Sequence, residues 1–590
     1  MKEGTFLERP NRFIAYIDIE GKKETVHVKN TGRCRELLVP GARVYVQESE
    51  NPERKTRWDL IAVEKGERIV NMDSQVPNKV VQEWLENGAF SGAGERIRIR
   101  PEYTYGNSRI DLYVEIEKDE NVRKILIEVK GVTLEEKGVV RFPDAPSERA
   151  VKHVKELEKA VEEGYEAYVF FVIQMKGVRY FAPNMDTHPA FGEALREAAE
   201  NGVQVVAYDC DVALDAIEIR KEVPVVLAEP VLYEMVNPLV QWYRENKRDL
   251  PWRKNPDAYK VWVSEIMLQQ TRVEAVKPYY ERFLKALPTV QDLARAEEDT
   301  LLKVWEGLGY YNRVRNMQKA AQQIMVDHHG EFPSSYEEIL SLKGIGDYTA
   351  GAISAFAYGI PKPAVDGNVL RVVSRLLCIE EDIMKQNVRR KVEKQLEKVI
   401  PRDAASDFDQ GLIELGALIC VPNGKPGCTE CPLKTLCKAH AWGREKELPV
   451  RTKQKARRIE ERTIFIFRDG ETVALKKRPA KGLLAGLYEL PGMEGKMTQE
   501  EVIAYSKKIG LSPIRVMPAG EAKHIFSHVE WHMTGYLVVV DELEKSCKEE
   551  MLFVHPEEIE KIYPIPSAFE RYTDYLNIKL GQKGDYREWL

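Results

Sequence analysis

The chain has 590 residues, 43% hydrophobic and 31% charged, with a net charge of −6 and a pI near 6.1. That length exceeds a single core, so about three or four domains are expected, and the mild acidity neither announces nor excludes a nucleic-acid binder, because local patches outweigh the sum. No apolar run is long enough to span a bilayer and Met1–Pro10 is polar, without a signal-peptide core, so a cytoplasmic location is expected.

Residues 1–80 show short alternating runs at Arg12–Ile19, Thr25–Val28 and Arg43–Gln47. Glu20-Gly21, Thr31-Gly32 and Pro40-Gly41 separate them, as in a small β-barrel or sandwich. A helix is expected over Pro77–Glu86, with proline in its first turn. Within residues 81–225, Arg109–Glu117 puts Ile110, Leu112, Val114 and Ile116 on one face and Asp111, Tyr113 and Glu115 on the other. In the strand Lys124–Lys130, Glu128 and Lys130 point the same way. A turn about Asp119-Glu120 would set Asp111 opposite Glu128. These side chains form either a magnesium- or manganese-binding site or an ordinary solvated hairpin face. Ala167–Ile173 reads as a buried strand and His188–Asn201 as a helix of an α/β core.

Several motifs add to this pattern: Asn30-Thr31-Gly32, Glu36-Leu37-Leu38, Pro40-Gly41, Ser108-Arg109-Ile110-Asp111, Ile127-Glu128-Val129-Lys130-Gly131-Val132-Thr133-Leu134 and Arg141-Phe142-Pro143-Asp144-Ala145. With them, residues 1–220 resemble the sugar fermentation stimulation protein A (SfsA) family. The resemblance implies an oligonucleotide-binding (OB-like) β-barrel over 1–80 and a restriction-nuclease-like α/β core over 81–225. That core is of the Asp…Glu-x-Lys type, with Asp111, Glu128 and Lys130 as its nuclease residues and Mg2+ or Mn2+ as the cation. It implies a fold more than a function.

Residues 226–445 turn helical, with helices expected at Leu239–Asn246, Tyr279–Ala286, Asp299–Trp305, Val314–His328 and Tyr336–Ser341. Val261–Thr271 reads as a mostly buried helix carrying one carboxylate, Glu265, with Gln269 and Arg272 on the same face. A carboxylate in apolar surroundings takes a raised pKa and serves as a general acid, unless it lies at the helix surface. Leu342–Ala350, with Gly344 and Gly346, is either a plain turn or a hairpin whose amides hold a phosphate. Asp366 and Asn368 precede the helix Val369–Leu377 as an N-cap or as functional groups. Of eight cysteines, Cys420, Cys428, Cys431 and Cys437 cluster, while Cys34, Cys210, Cys378 and Cys547 are scattered. Four clustered thiolates in a cytosolic chain suit zinc or an iron–sulfur cluster.

Leu250-Pro251-Trp252-Arg253, Ser264–Thr271, Gly307-Leu308-Gly309-Tyr310-Tyr311, Gly344–Ala352, Val365–Val369 and the cysteine loop closely resemble adenine DNA glycosylases of the MutY type, within the helix-hairpin-helix superfamily. The resemblance implies that Glu265 protonates an extruded adenine, that Asp366 stabilises the sugar cation, and that Tyr348 and Asn368 position them. It implies contacts of Gln269, Gln270 and Thr271 with the opposite base, a Tyr310 wedge, phosphate binding at Gly344 and Gly346, and a [4Fe–4S] cluster on Cys420, Cys428, Cys431 and Cys437. One residue more than in the family separates Cys420 from Cys428. Bifunctional relatives such as endonuclease III carry a Schiff-base lysine where Tyr348 stands, so base removal without strand cleavage is implied.

Residues 446–462 read as a charged linker, with Lys453, Lys455, Arg457 and Arg458. Residues 463–590 open with strands at Thr463–Phe467 and Thr472–Lys476. Gly486–Gly492 resembles the start of a Nudix fold, but the Arg-Glu-x-x-Glu-Glu helix is missing. This resembles the recognition domain of the same glycosylases, which implies that Ser527, beside His528, hydrogen-bonds 8-oxoguanine. The expectation is a multidomain, monomeric fusion. An SfsA-like module precedes a monofunctional glycosylase acting on double-stranded DNA with adenine opposite 8-oxoguanine or guanine. The rivals are a bifunctional glycosylase/lyase and a DNA-binding protein with a structural iron–sulfur loop.

Overall fold

The computed structural model describes residues 1–30, 32–49, 54–92, 94–119, 121–452, 456–470, 472–541 and 550–578. Thr31, Glu120, Lys453, Lys455 and Cys547 lie outside the described residues. The chain forms two compact units, Met1–Tyr233 and Glu234–Leu590.

The first unit begins with a barrel. Its strands are Lys2–Asn11, Ile14–Ile19, Lys22–Val28, Arg43–Glu48, Trp58–Lys65 and Arg68–Asn71. The third pairs in parallel with the fifth, Val26 opposite Trp58, which closes the ring. Ala15, Ile17 and Ile19 fill the interior at the period of two that a pleated strand requires. The opening strand is masked by its polar composition, since its inward positions are Gly4 and Phe6 alone.

A six-stranded mixed sheet follows, running spatially from Ile217–Glu222 through Gln204–Val212, Glu166–Ile173, Asn121–Val132 and Ser108–Lys118 to Arg96–Tyr105. The helix Val76–Glu86 covers one face, and Glu148–Glu162 and Pro189–Glu200 cover the other. Leu112 pairs with Ile127 and Lys118 with Asn121, so the next position along this register sets Asp111 against Glu128.

The second unit starts with a two-lobed helical domain whose core includes Trp262, Phe283, Trp305 and Ile353. The expected helix Val261–Thr271 is Ala258–Leu268 instead. Gln269 is extended, with φ −60° and ψ 112°, and Gln270 is left-handed at φ 61°. Arg313 explains the stop: its guanidinium takes the carbonyls of Ile266 and Gln269 at 2.7 and 2.6 Å, drawing the chain out of the helix. Gln269, Gln270, Thr271 and Arg272 therefore form a link, not the helical face that carries Glu265. The C-terminal domain has a sheet centred on the parallel pair Arg458–Arg468 and Val529–Val540. Its first strand begins at Arg458, inside the stretch read as a linker. Among the described residues no helix is long and apolar enough to cross a membrane.

Candidate active site

Glu265 is 5% exposed and lines a cavity of about 710 Å³. The Tyr348 hydroxyl donates to its Oε2. Burial lifts the Glu265 carboxyl to about 7, the Tyr348 bond opposes this, and the charge of Asp366 adds to it. Asp366 lines the same cavity and caps the helix Gly367–Leu377: Oδ1 accepts the amides of Asn368 and Val369, both at 2.8 Å. The Asn368 amide donates to Oδ2 at 2.6 Å. Burial raises the Asp366 carboxyl while these donors pull it back. Gln269, Gln270 and Thr271 line the same cavity, as do Tyr348 and Asn368.

Residues without an assigned role support this wall. Glu414, fully buried, accepts from Arg248 at 2.8 Å and Arg253 at 2.9 Å. Burial pushes its carboxyl up, but the two guanidiniums bring it down to about 2. Arg253 stands in the quoted Leu-Pro-Trp-Arg motif; its partner, remote in sequence, left no local signal. Arg371 donates to Asn368 Oδ1 at 2.8 Å and to the Cys420 carbonyl at 2.7 Å, joining the Asp366 cap to the cysteine loop.

Gly344 is left-handed at φ 79°, and a Cβ there would sit 2.7 Å from that of Asn316. Gly346 caps the helix Asp347–Tyr358, so its first amides lie at the hairpin surface. Tyr310, φ 47° and 51% exposed, stands beside a second cleft of about 550 Å³ that Ser527 and His528 also line. The Ser527 hydroxyl donates to the Tyr310 hydroxyl at 3.3 Å.

Cys420, Cys428, Cys431 and Cys437 line one small cavity, and none of the described cysteines is in a disulfide. Burial raises the Cys431 thiol to about 12, and Cys428 and Cys437 also move up. Thiols packed together in this way make a soft donor set of the kind that deprotonates on a metal. The Arg375 guanidinium already donates to Cys420 Sγ at 3.2 Å. His440 and Glu445 lie at the cavity's edge, their ligand atoms within 4.8 Å of Cys428 Sγ and of each other. Among the described residues that is the one group of three or more His, Cys, Asp or Glu side chains gathered so closely.

In the first unit, Asp111 Oδ1 accepts from Asn78 at 2.9 Å and Oδ2 from the Val129 amide at 2.8 Å. Glu128, 1% exposed, has Oε1 bound by both Lys130 Nζ and His153 Nδ1, whereas Oε2 is buried without a partner. Burial raises Glu128, but His153 and Lys130 override it, leaving the carboxyl low. Burial and the charge of Glu128 raise Asp111. His153, on the helix Glu148–Glu162, has no local motif that would have marked it.

Comparison with known proteins matches four separate stretches of the chain. The family described as SfsA N-terminal OB domain matches residues 7–72, and the sugar fermentation stimulation protein RE domain matches 75–216. The sugar fermentation stimulation protein homolog of Desulfitobacterium hafniense (strain DSM 10664 / DCB-2) is 57% identical over 229 residues, 39% of this chain and 97% of that protein. The chain belongs to the sugar fermentation stimulation protein family. To that family's module it adds a base-excision-repair glycosylase domain, since the HhH-GPD superfamily base excision DNA repair protein family matches residues 263–401. A NUDIX domain matches 463–575. Among solved structures, Pyrococcus furiosus SfsA in complex with Ca2+ is 31% identical, with TM-score 0.35, covering 38% of this chain and 95% of that one. A thermostable thymine-DNA glycosylase is 26% identical, with TM-score 0.34, covering 36% and 98%.

Proposed function

We propose that the second unit is a monofunctional glycosylase that hydrolyses the N-glycosidic bond of adenine paired with 8-oxoguanine or guanine in double-stranded DNA. The observation that carries this reading is Glu265: a buried carboxyl raised to about 7, sharing a cavity with a second carboxyl, Asp366. Cleaving a base from its sugar needs an acid for the leaving nitrogen and a carboxylate near the sugar cation. Glu265 donates its proton to the ring nitrogen of an adenine flipped into the cavity. As the bond to the sugar breaks, Asp366, held by Asn368 and Val369, faces the developing positive charge. Water then adds to the sugar carbon, and the Glu265 carboxylate accepts its proton. Tyr348 holds Glu265 and offers no amine for a Schiff base, so the strand stays intact. The cleft of Tyr310, Ser527 and His528 would receive the opposite base.

The four loop cysteines would hold a [4Fe–4S] cluster, which when bound supplies a rigid cross-link beside the helix of Asp366. For the first unit the orphan oxygen of Glu128 favours a further reading, a phosphodiesterase site. Asp111 and Glu128 would hold Mg2+ or Mn2+, which supplies polarisation of a phosphate, with Lys130 alongside.

The test of the glycosylase reading uses iron-analysed full-length protein and a labelled duplex with adenine opposite 8-oxoguanine. Adenine should be released, and the strand should break only after alkali. Scission without alkali that persists in Glu128→Ala would reject the monofunctional reading, and zinc without iron would reject the cluster.

A further inference from the structure

Two buried charges at the seam between the helical and C-terminal domains are unused by that chemistry. Lys303 and Glu306, at and just after the end of the helix Glu298–Val304, are 9% and 5% exposed. Lys303 Nζ donates to Glu306 Oε2 at 2.9 Å, to the Ile559 carbonyl at 3.0 Å and to the Tyr563 carbonyl at 3.3 Å. An ammonium has three protons, and all three are placed. Glu306 Oε1 accepts the Ile565 amide at 2.8 Å. The pair thus grips the backbone of Ile559–Ile565 at three points.

The grip lies next to the second cleft. Pro566 and Ser567, directly after the held segment, line that cleft together with Tyr310 and Ser527. Another stretch of the wall is held from the helical side too. Arg315 donates to the Ala485 carbonyl at 2.7 Å, and Leu487 is buried in the helical core. Between these anchors, the Ser527–Tyr310 contact joins two exposed side chains across the cleft. A buried ion pair is a poor source of net stability, because desolvation offsets its attraction. Its use here is geometric. Bonds to backbone atoms fix where a segment lies, and a hydrogen-bonding reader works only when held to within about 0.5 Å.

We propose that Lys303 and Glu306 are positioning residues for recognition of the opposite base: they clamp Ile559–Ile565 and thereby hold the Ser527–His528 loop at a set distance from Tyr310. The proposal rests on the reading of this cleft as the site of the base opposite adenine. It predicts a role in choosing between 8-oxoguanine and guanine, not in breaking the glycosidic bond, because neither residue lines the cavity of Glu265.

The test is the full-length Lys303→Met/Glu306→Gln variant, assayed at single turnover on adenine opposite 8-oxoguanine and opposite guanine. Removing both charges together leaves no unpaired buried ion, so the variant should unfold within a few degrees of the wild type. The rate ratio between the two duplexes should fall about tenfold, the worth of one well-placed hydrogen bond, with the rate opposite guanine nearly unaltered. A folded double variant that keeps the wild-type ratio overturns the proposal. Glu306→Gln alone, which retains an acceptor for Ile565, should lose part of the ratio. If the double variant does not fold, an unchanged ratio in Glu306→Gln overturns the proposal by itself. A wild type with no preference for 8-oxoguanine removes the cleft reading and this proposal with it.

Discussion

Glu265 and Glu128 are the same residue type at nearly the same depth, 5% and 1% exposed, yet their carboxyls shift in opposite directions. Glu265 has a hydroxyl for a partner and another carboxyl lining the same cavity, so burial wins and its carboxyl moves up. Glu128 has an ammonium and an imidazole on one oxygen, so burial loses and the anion is kept. Depth sets the size of the stake, and the neighbour decides the sign. The first arrangement suits a general acid. The second suits an anion that holds a cation.

The sharpest way to break this comparison is Glu265→Gln, which keeps shape and removes the transferable proton. Base release should fall by roughly a thousandfold, within the range for general acid catalysis, while duplex affinity stays close to wild type because the proton acts in the transition state. Equal loss of binding and rate would assign Glu265 a structural role instead.

The same Glu265→Gln background, silent as a glycosylase, exposes the first unit. With manganese, and with single-stranded, duplex or abasic-site DNA, cleavage should appear and vanish in Asp111→Ala or Glu128→Ala. His153→Phe should lower it by about tenfold and weaken manganese binding alike, as loss of an orienting partner does. Arg149 donates to His153 Nε2 at 3.4 Å, which leaves Nδ1 as the donor to Glu128. No metal-dependent cleavage on any of these DNAs, or cleavage that survives both alanine variants, would leave this unit without a nuclease role.

What the sequence discloses follows from the range of each interaction. The hairpin register was readable because period two and a turn at Asp119 fix it locally. At Asp366 the local reading was also sound: it is an N-cap, and its other oxygen accepts from the Asn368 side chain. The end of the Glu265 helix was not readable, since Arg313 pulls it apart from 47 and 44 positions away along the chain. His153 and the Lys303–Glu306 pair look like ordinary helix charges until the fold delivers their partners. Charge patterns on helices say which face is polar, not which polar group will be buried.

The smallest expected effect tests the Tyr348 half of the comparison. The Tyr348 bond lowers the Glu265 carboxyl against the pull of burial, so it favours the anion. In wild type, base release that needs the proton should decline as pH rises through about 7. Tyr348→Phe removes the donor and keeps the ring, which favours the protonated form further, so this alkaline limb should move to higher pH. The plateau rate should change by no more than about fivefold, the worth of one hydrogen bond of roughly 1 kcal/mol. Stability carries the matching sign. A carboxyl raised in the folded state contributes fully below its unfolded value, and that contribution is lost as pH rises toward the folded one. The variant should therefore lose thermal stability relative to wild type at alkaline pH, and the two melting curves should converge below the ordinary carboxylate range. An alkaline limb that stays in place, or moves down, would mean that Tyr348 does not control the Glu265 proton.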